Sequence, residues 1–126
     1  MPDHDLISRA TRDTIERFNA AFNAHDVERV MALMTDDCVF ENTNPPPDGQ
    51  RFVGAQAVRE CWVQFFTESP RSVFETEELF TTGDRGVCRW RYTWAADAGR
   101  AGYIRGVDVF RVRGGQVAEK LSYVKG

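Results

Sequence analysis

The spacing of apolar residues changes near residue 70, and this change constrains the fold more than any other feature of the sequence. Before Pro70, apolar side chains recur every three or four residues, which is the period of an amphipathic helix. After Pro70 they recur at every second residue, which is the period of a strand with one buried face. Helices followed by consecutive strands predict an α+β domain, because a parallel α/β sheet would alternate the two.

Two helices are predicted at the start of the chain. The first ends at a break near His25, and Asp26 is placed to cap a second, shorter helix, which Asp36 and Asp37 are expected to end. The apolar stripe of the first helix consists of Leu6, Ile7, Ala10, Ile15, Phe18, Ala21 and Phe22, and that of the second consists of Val27, Val30, Met31 and Met34.

A short strand, a proline-rich loop and a third helix follow. The β-branched and aromatic residues in 38–42 predict the strand. The segment from Asn44 to Gly49 contains three consecutive prolines, which remove backbone donors and exclude regular structure. The third helix ends before Pro70, and its apolar stripe consists of Ala57, Val58, Cys61, Trp62, Phe65 and Phe66.

The second half of the chain predicts four antiparallel strands joined by glycine-containing turns. The strands are Ser72–Thr82, Gly86–Ala96, Tyr103–Arg113 and Gln116–Val124, with turns at Gly83-Asp84, at Asp97-Ala98-Gly99 and at Gly114-Gly115.

Composition sets the class of protein. A chain of 126 residues, 42% hydrophobic and 28% charged, is a single globular domain. Its net charge of −3 argues against a nucleic-acid partner. We expect no membrane span and no signal peptide, because no apolar stretch is long enough and the start is polar. Three widely spaced cysteines predict free thiols in the cytoplasm, and His4 and His25 lack metal-ligand spacing, so no metal is expected.

Asp108 is a carboxylate in an otherwise apolar row. Burying a lone carboxylate is costly, so it must be paired or neutralised. A two-residue turn would place Asp108 opposite Leu121. A three-residue loop, Arg113 to Gly115, would place it opposite Lys120 and Gly106 opposite Ser122, and the sequence favours this second register. The residues that share the face of Asp108 are Ile104, Gly106, Phe110 and Val112.

The strand around Trp90 has an aromatic and a basic face. Trp90, Tyr92 and Trp94 alternate with Arg89 and Arg91. The basic face is predicted to be a dimer or solvent surface. Its arginines are Arg89, Arg91, Arg105 and Arg111.

Several segments resemble the nuclear transport factor 2-like fold, and most closely its SnoaL-like and ketosteroid-isomerase-like branch. The resemblance covers nearly the whole chain, so that residues 1–126 are identified as a single SnoaL-like domain. The segments that carry it are Phe18–Asp26, Met34–Asn42, Phe52-Val53-Gly54 with Ala57-Val58-Arg59, and Val107–Val112 with Gly114–Val117.

The resemblance implies a cone-shaped, strongly bent, mostly antiparallel sheet wrapped by three helices around an apolar cavity. It also implies a homodimer through the outer face of the sheet. The residues expected to line or approach the cavity are Phe40, Asn42, Trp62, Phe66, Trp90, Tyr92 and Asp108. Members of this group catalyse different reactions or only bind small molecules, so the fold does not choose among them.

Ketosteroid isomerases use a base, an acid and a tyrosine, and the resemblance maps these onto three positions. Asp108 stands at the position of the acid. Asn42 stands at the position of the base and cannot accept a proton at neutral pH, and Phe18 replaces the tyrosine. Steroid isomerisation by that mechanism is therefore not expected.

The other branches also match in part. Asn42 resembles the water-holding asparagine of epoxide hydrolases, but Ser122 stands where an acid is expected. Polyketide cyclases commonly use an acid or a histidine in the cavity, and here Asp108 is the candidate.

Each candidate site residue has a functional and a structural interpretation. Asp108 is either a general acid or base or a structural carboxylate, and Lys120 is either a catalytic amine or oxyanion donor or a salt-bridge partner. Asn42 either orients a substrate or ties down the proline loop. Tyr92 either donates a hydrogen bond or fills the cone. The predicted catalytic residues are Asp108, Asn42 and Tyr92, and the predicted substrate-binding residues are Phe18, Phe40, Trp62, Phe66, Trp90 and Lys120.

The sequence thus favours a cofactor-free isomerase, cyclase or hydro-lyase that acts by acid–base chemistry on a small hydrophobic carbonyl compound. Two alternatives stay open. One is a non-catalytic module that binds a small molecule, and the other is a dimeric interaction scaffold of the same fold.

Overall fold

A computed structural model describes residues 3–94 and 101–126. The described part has the predicted order of helices and then strands, with a six-stranded sheet. The helices are α1 His4–Asn23, α2 Val27–Ala32 and α3 Ala55–Glu68, and the strands are β1 Met34–Glu41, β2 Arg51–Val53, β3 Val73–Thr82, β4 Arg85–Trp94, β5 Gly102–Arg113 and β6 Gln116–Val124.

The sheet has the order β2-β1-β6-β5-β4-β3. All neighbouring strands are antiparallel except β1 and β6, which run parallel. Register shifts interrupt the β1–β6, β3–β4 and β5–β6 ladders, and such bulges bend and twist a sheet. The predicted α+β class and the cone of a bent sheet wrapped by three helices are confirmed.

Helix α1 begins at a capped N-terminus and ends where predicted. The Asp3 side chain accepts a hydrogen bond from the Asp5 backbone N–H at 2.9 Å. His25, just beyond the helix, has a φ of 55°, which stops the helix. Leu6, Ile7 and Ala10 lie on the helix as predicted but are exposed, because Ser8 and Thr11 form the side that meets the β3–β4 turn.

Strand β1 begins earlier than predicted. The Asp26 cap of α2 is confirmed, since its carboxylate accepts from the Arg29 backbone N–H. Met34, however, starts β1 instead of ending the helix, and Asp36 and Asp37 lie exposed within the strand. Pairing with β6 explains the difference, because the Val117 N–H donates to the Leu33 carbonyl at 2.7 Å and extends the ladder.

The segment after the proline loop contains a strand that the sequence did not predict. Residues 51–53 form β2 and pair with β1, so that Phe52 and Val53, whose segment resembles the entry to the third helix, belong to a strand. The turn before β2 requires Gly49, whose φ is 70° and whose hypothetical Cβ would lie 2.0 Å from the Asn42 carbonyl oxygen. This close approach folds the loop back onto the end of β1.

The four strands after Pro70 are confirmed within the described residues. The Gly83-Asp84 turn joins β3 to β4, and the Gly114-Gly115 turn joins β5 to β6. The expected end of the strand at Ala95-Ala96 and the turn at Asp97-Ala98-Gly99 lie outside the described residues.

The turn between β5 and β6 corrects the predicted register. Arg113 pairs with Gln116, so the loop has two residues and not the favoured three. Ala118 then has no partner in β5, and this bulge advances β6 by one residue. As a result Asp108 lies opposite Ser122, and not opposite Lys120 or Leu121.

An aromatic cluster forms the core between the helices and the inner face of the sheet. Phe22 is at its centre, with ring centroids 4.9 Å from Phe66, 5.0 Å from Trp62 and 5.4 Å from Phe74. Phe18 packs edge-on against Phe110 at 5.8 Å. Helices α1 and α3 and strands β3 and β5 are held together by these contacts, which leave one polar cluster among them.

Candidate functional site

A cavity of about 170 Å³, here called the main cavity, lies beneath the helices. It opens toward a surface groove between the proline loop and α3, with which it shares Asn42, Asn44, Cys61 and Phe65. The main cavity is lined by Phe22, Phe40, Asn42, Thr43, Asn44, Cys61, Trp62, Phe65, Phe74, Trp90, Lys120 and Ser122. Its wall is therefore mostly aromatic, with polar groups at the mouth and at the inner end.

Three polar side chains meet at the inner end. The Ser122 hydroxyl donates to Asp108 Oδ1 at 2.6 Å. The Lys120 ammonium lies 3.3 Å from Asp108 Oδ2 and donates to Ser122 Oγ at 3.3 Å. Asp108 and Lys120 are only 4% and 5% exposed. Both oxygens of the carboxylate are thus engaged, and the buried charges compensate each other.

Two neighbouring strands bring these three residues together. Lys120 and Ser122 are two residues apart on β6, so they share one face of the sheet. The bulge at Ala118 places Ser122 directly opposite Asp108, and Lys120 then reaches the carboxylate diagonally. The predicted ion pair is present although both predicted registers are wrong.

Aromatic rings also lie close to the Lys120 ammonium. Its Nζ lies 4.8 Å from the ring centroid of Phe40 and 5.4 Å from those of Phe22 and Trp62. A cation over aromatic faces gains roughly 2 kcal/mol when it is desolvated, so these rings offset part of the cost of burying the charge. Lys120, which lines the main cavity, therefore carries its charge among aromatic rings.

A second space of about 20 Å³, here called the inner cavity, lies on the other side of Lys120. It has room for about one water molecule. Asp108 lines the inner cavity, whereas Lys120, Phe22, Phe74 and Trp90 line both spaces. Access from the main cavity to Asp108 therefore passes Lys120 and Ser122.

The thiols near the site are shielded. Asn19 Nδ2 donates to Cys88 Sγ at 3.6 Å, and Thr76 Oγ1 lies 3.6 Å from the same sulfur. Burial raises the pKa of the Cys88 thiol and also that of Cys61, whose pKa the Lys120 charge lowers only in part. Because the thiolate is the nucleophile, neither cysteine is activated at neutral pH.

The structure brings together only some of the predicted site residues. Phe40, Asn42, Trp62, Trp90 and Lys120 line the main cavity. Asp108 lines only the inner cavity. The three other predicted residues, Phe18, Phe66 and Tyr92, are absent from the linings of both cavities.

Each of those three side chains packs elsewhere. Phe18 is fully buried against Phe110, and Phe66 stacks on the His25 ring at 4.9 Å. Tyr92 packs on Phe74 at 4.6 Å and on Phe65 at 6.0 Å. On β4, Tyr92 lies four residues from Cys88, which is the residue paired with Asp108. Four residues of strand span about 13 Å, so the Tyr92 hydroxyl and the Asp108 carboxylate do not act on the same atom.

Asn42 has a structural role that the sequence offered as one of two interpretations. Its Oδ1 accepts from the Gln50 backbone N–H at 2.7 Å, and its own N–H donates to the Gln50 carbonyl at 3.0 Å. The side chain ties the proline loop to the end of β1 while it lines the mouth of the main cavity.

Ser122 is a site residue that the sequence reasoning left out of the candidate set. The signal was available, because alternation along β6 puts Ser122 on the same face as Lys120. Phe22, Phe65 and Cys61 were likewise placed on apolar helix stripes, and Phe74 within a strand, but none of them was assigned to the cavity wall.

The described parts of the chain contain neither a helix suited to crossing a membrane nor a cluster of metal-binding side chains. No helix among residues 3–94 and 101–126 is long and apolar enough to cross a membrane. Over the same residues, no group of three or more histidine, cysteine, aspartate or glutamate side chains has an arrangement that could hold a metal ion.

A bent sheet with three helices over a polar-ended aromatic cavity defines the nuclear transport factor 2-like class of folds. Within it, the family model of the SnoaL-like domain matches residues 15–120. The chain belongs to the SnoaL-like family. No curated protein sequence matches it at a significant level.

Solved structures support the same class. An NTF2-like protein of unknown function from Mesorhizobium loti is 41% identical, with a TM-score of 0.83, and the match covers 100% of this chain and 98% of that one. A protein from Jannaschia sp. CCS1, provisionally named a SnoaL-like polyketide cyclase, is 20% identical with a TM-score of 0.82 over 99% and 92%. TerC, co-crystallised with polyporic acid, is 18% identical with a TM-score of 0.78 over 92% of each chain.

Proposed function

We propose that the main cavity binds a small hydrophobic carbonyl compound and that the protein performs cofactor-free acid–base chemistry on it, of the isomerase, cyclase or hydro-lyase kind. The observation that carries this proposal is the Asp108–Ser122–Lys120 network, buried at the inner end of an aromatic cavity that opens at the surface. The polyketide-cyclase name of one structural neighbour and the small molecule bound by another agree with it.

Lys120 is the group that contacts the substrate oxygen in this proposal. Its ammonium lines the main cavity and is held in place by Asp108 Oδ2. A charged donor in a low-dielectric site stabilises negative charge that develops on a carbonyl oxygen, which makes an adjacent C–H more acidic. Lys120 therefore takes the oxyanion-stabilising role considered for it from the sequence.

Ser122 connects the substrate to Asp108. Its hydroxyl lines the main cavity and already donates to Asp108 Oδ1 at 2.6 Å. A proton leaving the substrate carbon is accepted by Ser122 Oγ while the serine proton passes to Oδ1, so the charge moves from the carboxylate to the enolate oxygen beside Lys120. Return of the proton to another carbon completes an isomerisation.

Asp108 is the proton acceptor of this relay and also the residue that positions Lys120. Asn42 forms part of the mouth, because its Oδ1 is engaged by Gln50. Tyr92 is given no catalytic role, since it is absent from the lining of both cavities.

A non-catalytic binding module is the second candidate. The observation that favours it is that both Asp108 oxygens are already bonded. In addition, the described residues that line the main cavity include no carboxylate and no imidazole. This candidate predicts ligand binding without proton transfer.

Exchange of the α-protons of acetophenone for deuterium in D₂O, followed by NMR, separates the two candidates. We expect the protein to accelerate this exchange. The variants Asp108→Asn and Ser122→Ala should each reduce the acceleration by roughly 10²-fold or more, as is usual for loss of a general acid–base group. Asp37→Asn is the matched control, because Asp37 pairs with Arg113 on the surface. Saturable binding of acetophenone without accelerated exchange would overturn the catalytic proposal in favour of the binding module.

We also propose a homodimer through the outer face of the sheet. Tyr103 and Tyr123 on this face are 55% and 54% exposed. Two of the four arginines expected there form ion pairs, Arg89 with Glu78 and Arg105 with Glu77, at 3.0 Å each. We also propose a cytoplasmic location, because the three cysteines are free thiols.

Light scattering at micromolar concentration tests the dimer. We expect a mass twice the 14.3 kDa of one chain. Tyr123→Lys should shift the protein toward the single-chain mass, because it places two new charges on a symmetric interface. The mass of one chain for the unchanged protein would contradict the proposal.

A further inference from the structure

Two indole N–H groups in the core have no hydrogen-bond acceptor. Trp62 Nε1 and Trp90 Nε1 are both buried without a partner among the residues that the structure describes. The two side chains are 2% and 5% exposed. Buried tryptophan N–H groups normally have an acceptor, so each of these needs an explanation.

Both indoles belong to the wall of the main cavity. Trp62 comes from α3 and Trp90 from β4, so two different elements supply the two donors. The Lys120 ammonium lines the same space. The two unpartnered donors and the ammonium thus belong to side chains that line the same space.

Packing holds both rings in place. The Trp62 ring lies 4.2 Å from Phe40 and 5.0 Å from Phe22, and the Trp90 ring lies 5.1 Å from Phe74. A Cβ at Gly106 would lie 2.5 Å from Trp90 Cη2, so the glycine is what allows this indole to rest on β5. Rings fixed in this way present donors without losing further rotamer freedom on binding.

We propose that Trp62 and Trp90 are specificity residues whose indole N–H groups donate hydrogen bonds to acceptor oxygens of the bound molecule. The inference rests on the proposed function in one respect, that the main cavity is the ligand site. A ligand without acceptor oxygens leaves both donors unsatisfied, and such a mismatch is what a polar site rejects most strongly.

The charges around the entrance select a neutral ligand. Glu60 and Glu68 line the groove outside the mouth and are exposed. Among the described residues that line the groove and the main cavity, the one cationic side chain is Lys120, and it is already paired with Asp108. A ketone or aldehyde oxygen therefore fits the donors better than a carboxylate.

Acetophenone and isopropylbenzene form a matched pair of probes, because they are close in size and isopropylbenzene has a methyl group in place of the carbonyl oxygen. A cavity of about 150 Å³ accommodates benzene, so a one-ring probe suits a space of about 170 Å³. Calorimetric titration should give tighter binding of acetophenone than of isopropylbenzene. Trp62→Phe and Trp90→Phe should each weaken acetophenone binding by roughly 3- to 10-fold more than they weaken isopropylbenzene binding, because both probes lose ring contact but only acetophenone loses a hydrogen bond.

The indole N–H signals of the ¹⁵N-labelled protein report the bonds directly. The chain has three tryptophans. Acetophenone should move the Trp62 and Trp90 signals downfield. Trp94 is not in the lining of either cavity, so its signal serves as the internal reference. Trp94→Phe is the control variant. Circular dichroism verifies that each phenylalanine variant is folded.

The outcomes separate this inference from the proposed function. Equal affinity for both probes, or unchanged indole signals on acetophenone binding, would overturn the inference and leave the cavity as a ligand site. Tighter binding of benzoate than of acetophenone would overturn the assignment of a neutral ligand. Failure of every probe to bind would overturn the inference together with the proposed ligand site.

Discussion

Lys120→Met is expected to lower the free energy of unfolding by about 3–5 kcal/mol, because it leaves Asp108 buried without its counter-charge. The lysine and aspartate side chains are 7% and 6% exposed, so water does not replace the lost partner. The remaining donor to the carboxylate is the Ser122 hydroxyl, which carries no charge. Urea unfolding followed by tryptophan fluorescence measures the change.

A double variant and a surface pair serve as controls. Adding Asp108→Asn to Lys120→Met removes the unpaired charge and should recover a large part of the lost stability, so the two substitutions are strongly non-additive. Arg105→Met breaks the exposed pair with Glu77 and should cost less than about 1 kcal/mol. A Lys120→Met protein as stable as the parent would show that Asp108 is hydrated, and the buried network would then not exist in solution.

The class of fold was predictable because the periodicity of a segment is a local property. The switch from helical to alternating spacing at Pro70 needs no knowledge of partners, and the four strands that follow it are confirmed. The N-terminal half of α1 illustrates the limit. Leu6 and Ile7 continue the apolar spacing, but the side of the helix that meets the β3–β4 turn carries Ser8 and Thr11, and Leu6 and Ile7 are 60% and 36% exposed.

The register of the last hairpin depended on an interaction that the local sequence does not contain. The turn residues distinguish a two-residue loop from a three-residue loop, but the bulge at Ala118 adds a residue further along β6. The ladder between β6 and β1 is also irregular beside it. Because β6 is paired on both sides, its register reflects the whole sheet, and alternation alone placed the wrong residue opposite Asp108.

The site was predictable by face but not by position along the face. Alternation correctly assigned Asp108, Lys120 and Trp90 to the inner side of the sheet. It assigned Tyr92 to the same side, where the residue packs against Phe65 and Phe74 instead of lining the cavity. Tertiary packing decides which part of an inner face meets a helix and which part meets open space. The alternation of apolar residues along a strand does not contain that information.

Phe22→Ala is expected to lower the free energy of unfolding by about 3–5 kcal/mol, since it removes the central ring of the aromatic cluster. Phe22 contacts Phe66 at 4.9 Å, Trp62 at 5.0 Å and Phe74 at 5.4 Å, and none of these rings can follow the missing atoms without moving a whole helix or strand. Phe80→Ala, at a position 51% exposed, is the matched control and should change stability by less than about 1 kcal/mol.

The same substitution should also change what the cavity admits. Phe22 lines both the main and the inner cavity, so its removal joins the two spaces and opens a direct path to Asp108. Two-ring ketones that the parent excludes should then bind in calorimetric titration, whereas Phe22→Leu, which keeps most of the volume, should retain the preference for one ring. If Phe22→Ala instead bound the same probes as the parent, the side chain would not separate the two spaces, and Asp108 would already be open to the ligand.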